Sequence, residues 1–270
     1  MEDRQNRTVA VVTGGRSGIG RKTAEQLVSL GVIVYVPGRK PFEAEGMTFL
    51  SCDVTKEEET QRAIDTVLEK EDRIDVLVNC AGYGILGATE YTPLEDAKRQ
   101  LDVNFFGTVN MTKAVLPVMR RQGSGRIVNV SSMAAPASLP FQNYYSASKA
   151  AINAYTDALR NEVRPYGISC CCVLPGDIRT GFTDARKSIL EGDEAYEGRV
   201  TASMEKQAKF EREGADPIGA GKKIAKLCLK KRVRGVYTLD AVSAAEYALI
   251  KIVPHDLSNK IIGKMYGEWR

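Results

Sequence analysis

A tyrosine and a lysine four positions apart are the most informative pair of side chains in this sequence. Tyr145 precedes Lys149 by one turn of a predicted helix, and that spacing stacks the two side chains on one face. A phenol ordinarily titrates near pH ~10 and is a poor acid or base at neutral pH. An ammonium about 4 Å away favours the phenolate by about 4 kcal/mol at an effective dielectric constant of about 20. The pair predicts a proton donor beside a tuning charge, with an exposed and idle helix pair as the alternative.

A glycine-rich turn near the amino terminus predicts a dinucleotide site. It follows an apolar run typical of a strand and opens a segment with helical periodicity. Glycine lets the backbone turn tightly and approach a pyrophosphate, whose charge suits the N-terminus of a helix. A turn with no ligand is the alternative, because such a turn alone is a weak signal. The predicted cofactor contacts in this turn are Gly14, Arg16, Ser17, Gly18, Ile19 and Gly20.

A cation follows the second predicted strand, where a carboxylate would bind the adenosine ribose of NAD(H). The sequence there is Pro37-Gly38-Arg39. Arg39 and Arg16 can hold the oxygens of an added phosphate, since a guanidinium presents its donors in a fixed fork. The predicted cofactor is therefore NADP(H), with two surface arginines that bind nothing as the alternative.

Apolar, β-branched runs alternate with segments of helical periodicity along the chain. This alternation predicts an α/β fold, a doubly wound Rossmann-type parallel sheet with helices on both faces. The length of 270 residues fits a single domain over 1–270, with a substrate-loop insertion at about 181–214 and a C-terminal helical extension at about 241–270. The predicted buried strands are residues 9–13, 32–36, 48–52, 74–79, 126–131 and 168–174.

Composition and charge exclude several classes of protein. The net charge of +4 comes from 38 basic and 34 acidic residues dispersed along the chain, which does not indicate binding of nucleic acid. The six cysteines show no Cys-x-x-Cys spacing and there is one histidine, so neither a metal site nor a Ser-His-Asp triad is expected. The sequence shows no span of membrane length and no signal-peptide core, so we expect a cytoplasmic location.

Together these motifs resemble the short-chain dehydrogenase/reductase family from about residue 9 to residue 180. Ser132 lies thirteen residues before Tyr145, which is the spacing that family members show. The segment beginning at Asn79 departs from the family pattern at Cys80. The motifs are weak individually and specific as a set. The other matching segments are Cys52-Asp53-Val54-Thr55, Asn79-Cys80-Ala81-Gly82, Asp102-Val103-Asn104-Phe105 and Pro175-Gly176-Asp177-Ile178-Arg179-Thr180.

The resemblance implies a mechanism and a set of site residues. Ser132 and Tyr145 would hydrogen-bond the substrate carbonyl oxygen, and Tyr145 would exchange the proton. Lys149 would lower the pKa of the phenol and hold the nicotinamide ribose, while Asn104 would bind a water that passes the proton to solvent. Tyr145 and Lys149 thus count as catalytic and as cofactor contacts. The remaining implied cofactor contacts are Asp53, Val54, Asn79, Ala81, Gly82, Pro175, Gly176, Ile178 and Thr180.

The segment around the tyrosine and the chain ending resemble the hydroxysteroid and retinol dehydrogenase branch of the family. This implies a lipophilic ketone or secondary alcohol, such as a steroid or bile acid, bound by Ser132, Tyr145, Phe141 and Phe182. A reductase of acyl thioesters or sugar ketones is the alternative among enzymes, and an NADP(H) sensor is the alternative outside them. Family members commonly form homodimers or homotetramers through the helix with the Tyr and Lys. The apolar C-terminal helix could pack in such an oligomer, contact a membrane surface or cover a partner.

Overall fold

The computed structural model describes residues 7–266, and within them seven parallel strands form one sheet with helices on both faces. The sheet strands are β1 (Val9–Val12), β2 (Ile33–Gly38), β3 (Met47–Ser51), β4 (Val76–Asn79), β6 (Gly125–Val130), β7 (Ile168–Leu174) and β9 (Val236–Thr238), and a separate parallel pair is formed by β5 (Ile85–Gly87) and β8 (Lys187–Ile189). Across the sheet the order is β3-β2-β1-β4-β6-β7-β9. The predicted doubly wound Rossmann-type fold is confirmed.

The helices connect the parallel strands. They are α1 (Gly18–Ser29), α2 (Glu57–Glu71), α3 (Leu94–Leu101), α4 (Gly107–Gln122), α5 (Asn143–Val163), α6 (Phe182–Ala185), α7 (Arg199–Glu213), α8 (Pro217–Leu229), α9 (Ala241–Ile252) and α10 (His255–Tyr266). A single π-helical turn, Asp102–Phe106, joins α3 to α4. No helix within residues 7–266 combines the length and the hydropathy needed to cross a bilayer.

Two apolar layers hold the helices against the sheet, one on each face. Because successive residues of a strand point to opposite faces, Val9 and Val11 pack with α2, α4 and α5, while Ala10 and Val12 pack with α1 and α8. Both faces of β1 are therefore buried, which is why its sequence is continuously apolar instead of alternating.

All strands are parallel, but the order in which they are added to the sheet reverses between β1 and β4. From that point β2 and β3 extend to one side, and β6, β7 and β9 extend to the other. In open α/β sheets this reversal leaves a crevice beyond the carboxyl ends of the strands, where ligands bind. The predicted insertion forms α6, β8 and α7 between β7 and α8, and the predicted extension forms α9 and α10. Residues 1–6 and 267–270 of the predicted domain lie outside the described range.

Candidate active site

The glycine-rich turn joins β1 to α1 at the carboxyl edge of the sheet. Gly14 has φ of 68°, and a Cβ there would lie 2.8 Å from the Cys80 carbonyl oxygen. A Cβ on Gly20 would lie 2.5 Å from the Gly14 carbonyl oxygen. Ser17 precedes α1 without a side-chain capping hydrogen bond, and the first turn of α1 has no acidic residue. The backbone thus leaves room for a pyrophosphate, and N–H groups at the start of α1 can bind it. The residues present therefore fit a dinucleotide.

Hydrogen bonds tie this turn to the neighbouring strands. The Thr13 hydroxyl oxygen accepts from the main-chain N–H groups of Cys80 and Ala81, each at 3.0 Å. The Asn79 side chain is buried and donates from Nδ2 to Asn129 Oδ1 at 2.9 Å. Asn79 therefore acts within the sheet, where it aligns β4 with β6.

Helix α5 brings Tyr145 and Lys149 to the wall of one cleft. The Lys149 ammonium donates to the Val130 carbonyl oxygen at 2.9 Å and lies 5.7 Å from the centroid of the Tyr145 ring. The Ser131 hydroxyl donates to the Lys149 carbonyl oxygen at 3.0 Å and anchors the helix to the loop after β6. The predicted pair therefore shares one face of a helix and faces the cleft.

Burial dominates the electrostatics of this pair. It raises the pKa of Tyr145 to about 12, with a hydrogen bond from Ser132 lowering it in part and the charge of Glu211 raising it. Burial also lowers the pKa of Lys149 to about 8. The prediction that Lys149 brings the phenol towards neutral pH is wrong for this arrangement. The reason is that the loss of water around the phenol outweighs the Ser132 hydrogen bond and the other neighbours that lower its pKa.

Ser132 and Asn104 occupy different places. Ser132 lines the cleft and hydrogen-bonds the Tyr145 phenol. Asn104 is buried in the π-helical turn, where its Oδ1 accepts from the Tyr83 N–H and its Nδ2 donates to the Tyr83 carbonyl and to Ser148 Oγ, each at 3.0 Å. Asn104 therefore connects the loop after β4 to α5. Its contact with a relay water stays a prediction.

The cleft is a cavity of about 530 Å³ at the carboxyl edge of the sheet. Most of the predicted site residues lie in its wall, namely Gly14, Ser17, Gly18, Ile19, Gly20, Gly82, Ser132, Tyr145, Lys149, Pro175, Gly176, Ile178, Thr180 and Phe182. Other predicted residues lie outside this wall, namely Arg16, Arg39, Asp53, Val54, Asn79, Ala81, Asn104 and Phe141. The structure therefore gathers the predicted catalytic tyrosine, lysine and serine with the glycine turn in one cavity.

The two predicted aromatic substrate contacts separate. The Phe182 ring lies in the cavity wall with its centroid 5.6 Å from that of Tyr145. Phe141 instead has φ of 60° and packs edge to face against Tyr196, in an apolar cluster that includes Leu86. Phe141 therefore lies outside the wall of this cavity, and its contact with a substrate stays a prediction.

Positive charge gathers near the end of the cleft that would hold adenosine. Asp53 Oδ1 accepts from the Thr55 main-chain N–H at 3.0 Å and from its hydroxyl at 2.8 Å. Burial opposes ionisation of Asp53, but the Thr55 hydrogen bonds and the charges of Arg39 and Arg99 together lower its pKa. Burial raises the pKa of Tyr83, which lines the cleft, and the charges of the same two arginines oppose this rise.

The C-terminal helices form a wall of the cleft that the sequence did not assign to the site. Ile250, Val253 and Ile262 supply apolar side chains there and Glu246 supplies a carboxylate, while Asp177, in the loop after β7, lines the same cavity. Burial, together with neighbouring negative charges, raises the pKa of Asp177 to about 6. The amphipathic spacing of α9 and α10 indicates in the sequence that each helix buries one face, but it does not specify which part of the chain that face packs against.

The crevice at the sheet reversal, with the glycine turn and a tyrosine-lysine helix facing into it, defines an oxidoreductase that uses a nicotinamide dinucleotide. Residues 8–190 match the family model described as short chain dehydrogenase. The chain belongs to the short-chain dehydrogenase/reductase family. The resemblance stated from the motifs is thereby confirmed.

Known relatives cover nearly the whole chain. A 3-ketodihydrosphingosine reductase of Bacteroides thetaiotaomicron is 42% identical over 226 residues, which are 83% of this chain and 84% of that protein. A probable short-chain type dehydrogenase/reductase, VdlC, of Helicobacter pylori is 31% identical over 91% of this chain and 93% of its own length. The crystal structure of a short-chain dehydrogenase from Streptomyces avermitilis has a TM-score of 0.82 at 30% identity, covering 94% of this chain and 96% of that one.

Proposed function

We propose that the protein is an NADP(H)-dependent oxidoreductase that transfers a hydride between nicotinamide and a lipophilic ketone or secondary alcohol. The observation that carries this proposal is that Ser132, Tyr145 and Lys149 line the same cavity as the glycine turn. A protein that only senses the nucleotide has no need of these groups. The sensor alternative is therefore disfavoured.

The roles of the side chains follow from their chemistry. When bound, the cofactor supplies or accepts the hydride at the substrate carbon. The Ser132 hydroxyl and the Tyr145 phenol donate hydrogen bonds to the substrate oxygen, where negative charge grows during reduction. With a pKa of about 12 the phenol is protonated at neutral pH, so Tyr145 can deliver the proton as a general acid. Lys149 would hold the nicotinamide ribose and would place a positive charge beside the phenolate that forms.

The preference for NADP(H) is supported by the charges at the adenosine end. The exposed Arg39 follows β2, where an NAD(H) enzyme would present a carboxylate, and Arg16 lies exposed in the glycine turn. Arg39 and Arg99 both lower the pKa of Asp53 by their charge, so two cations share this end of the site. A ribose phosphate would neutralise them.

A long aliphatic ketone is the substrate that the cleft supports best. Apolar side chains such as Met133, Ile250 and Ile262 line much of the cavity. The Bacteroides relative is named for reduction of a ketone that bears a long alkyl chain and an adjacent amine. Asp177 and Glu246, in the same wall, suit such an ammonium. The steroid or bile-acid substrate predicted from the sequence is the second candidate, because the same wall also accepts a rigid apolar ring system. Sugar ketones rank lower, since apolar side chains line much of the cavity wall, and acyl thioesters stay an alternative.

The test is NADPH consumption with long-chain amino ketones, steroid ketones, acyl thioesters and sugar ketones, using the intact protein and Tyr145→Phe. Removal of the phenolic hydroxyl takes away the proton donor and should lower kcat at least about a thousandfold, while NADPH binding is retained. Tyr144→Phe is the matched control, since Tyr144 is the neighbouring tyrosine and does not line the cavity. Near-normal turnover by Tyr145→Phe would refute the mechanism, and NADPH binding without turnover of any ketone would favour the sensor.

A further inference from the structure

Two consecutive helices at the C-terminal end carry a concentrated apolar surface. Of the thirteen large apolar side chains that are exposed within residues 7–266, six lie on α9 and α10. We call these six the C-terminal apolar face. Exposure reaches 81% at Ile252 and 68% at Val242. Contiguous surfaces of this kind mark interaction sites, unlike single exposed apolar residues. The face consists of Val242, Leu249, Ile252, Leu257, Ile261 and Met265.

The spacing of these residues forms one stripe on each helix. On α10 the stripe repeats every four residues, and on α9 it repeats at intervals of three and seven. The opposite side of α9 is already used, because Tyr247 and Ile250 pack against the core beside Cys172 and Leu174. The exposed stripe on α9 is therefore not needed to pack this helix against the core of the domain.

The C-terminal apolar face is continuous with the mouth of the cleft. Leu249, Ile261 and Met265 belong both to the exposed face and to the cavity wall. A second copy of the chain packed on this face would cover the mouth. A lipid surface would instead present apolar molecules to it.

The charges beside the face suit anionic headgroups. Lys251, Lys260 and Lys264 are exposed on the same two helices. The acidic residues there are Glu246, which lines the cavity, and the exposed Asp256. Lysines beside an apolar stripe are typical of helices that lie in the plane of a membrane interface.

We propose that α9 and α10 dock the protein on an anionic membrane surface, with the C-terminal apolar face among the headgroups and the cleft mouth towards the lipid. This docking goes beyond the proposed reaction and does not depend on it. It gives a lipophilic substrate a route from the bilayer into the cavity.

The test is sedimentation of the full-length protein with vesicles of phosphatidylcholine alone or with about one-third phosphatidylglycerol. We expect binding to the anionic vesicles that weakens as salt is added. The double variant Ile252→Glu/Leu257→Glu should bind at least about tenfold more weakly, because two buried charges oppose insertion. Neither residue lines the cavity. The matched control is Leu94→Glu/Ile218→Glu, which changes two exposed apolar residues of α3 and α8 and should bind like the unmodified protein.

Four readouts decide the outcome: melting temperature, turnover, vesicle binding and light scattering. An unchanged melting temperature and unchanged turnover of a small water-soluble ketone show that the double variant is folded. Failure of the unmodified protein to bind anionic vesicles, or equal binding by the double variant, would overturn the proposal. The proposal would also be overturned if light scattering showed a smaller mass for the double variant than for the unmodified protein, since a second copy of the chain would then cover the C-terminal apolar face. Vesicle binding without turnover of any ketone would leave the docking standing and reject the reaction.

Discussion

At the residue scale, burial decides what the tyrosine and the lysine do. Loss of water raises the pKa of Tyr145 to about 12 and lowers that of Lys149 to about 8. The Tyr145 phenol therefore keeps its proton at neutral pH, as a proton donor in reduction would require. Hydrogen bonds to Ser131 and Val130 hold the lysine in place. At the other end of the cleft, where we propose that the adenosine binds, Arg39 supplies a positive charge whose role can be tested separately.

Arg39→Asp replaces the proposed phosphate contact with the carboxylate of an NAD(H) enzyme. A charge-assisted hydrogen bond contributes about 1.5–3 kcal/mol, so the Kd for NADPH should rise about ten- to a hundredfold. The Kd for NADH should change little, since the ribose hydroxyls can bond to the new carboxylate. Fluorescence titration of the same variant with both cofactors gives its own internal control. Equal weakening of the two would reject the NADP(H) assignment.

At the element scale, irregular backbone at two junctions builds the site. The turn before α1 needs glycine where main chain approaches main chain, and the π-helical turn between α3 and α4 places Asn104 against Tyr83. The glycine pattern is visible in the sequence. The π-helical turn is not, because its residues also fit an uninterrupted helix.

Gly14→Ala, in the glycine turn, and Gly31→Ala, between α1 and β2, separate the backbone penalty of a Cβ from its close contact with neighbouring main chain. Both glycines have positive φ, 68° and 78°, so alanine carries a similar backbone penalty of about 1 kcal/mol at each. A Cβ at Gly31 meets nothing within 4 Å, whereas one at Gly14 lies 2.8 Å from the Cys80 carbonyl oxygen. Urea denaturation and NADPH titration should therefore show a larger loss of stability for Gly14→Ala, and weaker cofactor binding for that variant alone. Indistinguishable variants would mean that the close approach has no consequence.

At the scale of the whole molecule, the expected homo-oligomer concerns the outer side of α5. Helix α5 faces the cleft through Tyr145. Small side chains are exposed along the same helix, namely Ala147, Ala150, Ala154 and Ala158. Small residues permit close approach of another helix. The family resemblance implies this same helix as the contact between subunits.

Ala154→Arg places a long charged side chain on that surface. If α5 forms the subunit contact, the variant should shift towards a smaller species because the arginine cannot pack against its copy. Light scattering after gel filtration gives the mass directly. Ala195→Arg is the control, since Ala195 is also exposed but lies between β8 and α7. An unchanged mass for Ala154→Arg would exclude α5 as the contact.

Local patterns sufficed for much of the fold and the site. Continuous apolar strands, glycine spacing and the interval between Ser132, Tyr145 and Lys149 are all set by residues close in sequence. The pocket wall was harder to predict. Phe141 is predicted as a pocket residue because an aromatic ring suits an apolar ligand, whereas in the structure its backbone has φ of 60° and its ring packs against Tyr196.

The sequence by itself determined the class of fold, the glycine turn and the helix that carries Tyr145 and Lys149, because each depends on periodicity or on spacing within one or two elements. Only the tertiary structure decided the protonation of Tyr145 and Lys149, since desolvation depends on what packs around a group. It also decided that α9 and α10 close over the cleft. Such packing joins segments more than a hundred residues apart, and an amphipathic pattern specifies a buried face without specifying its neighbour.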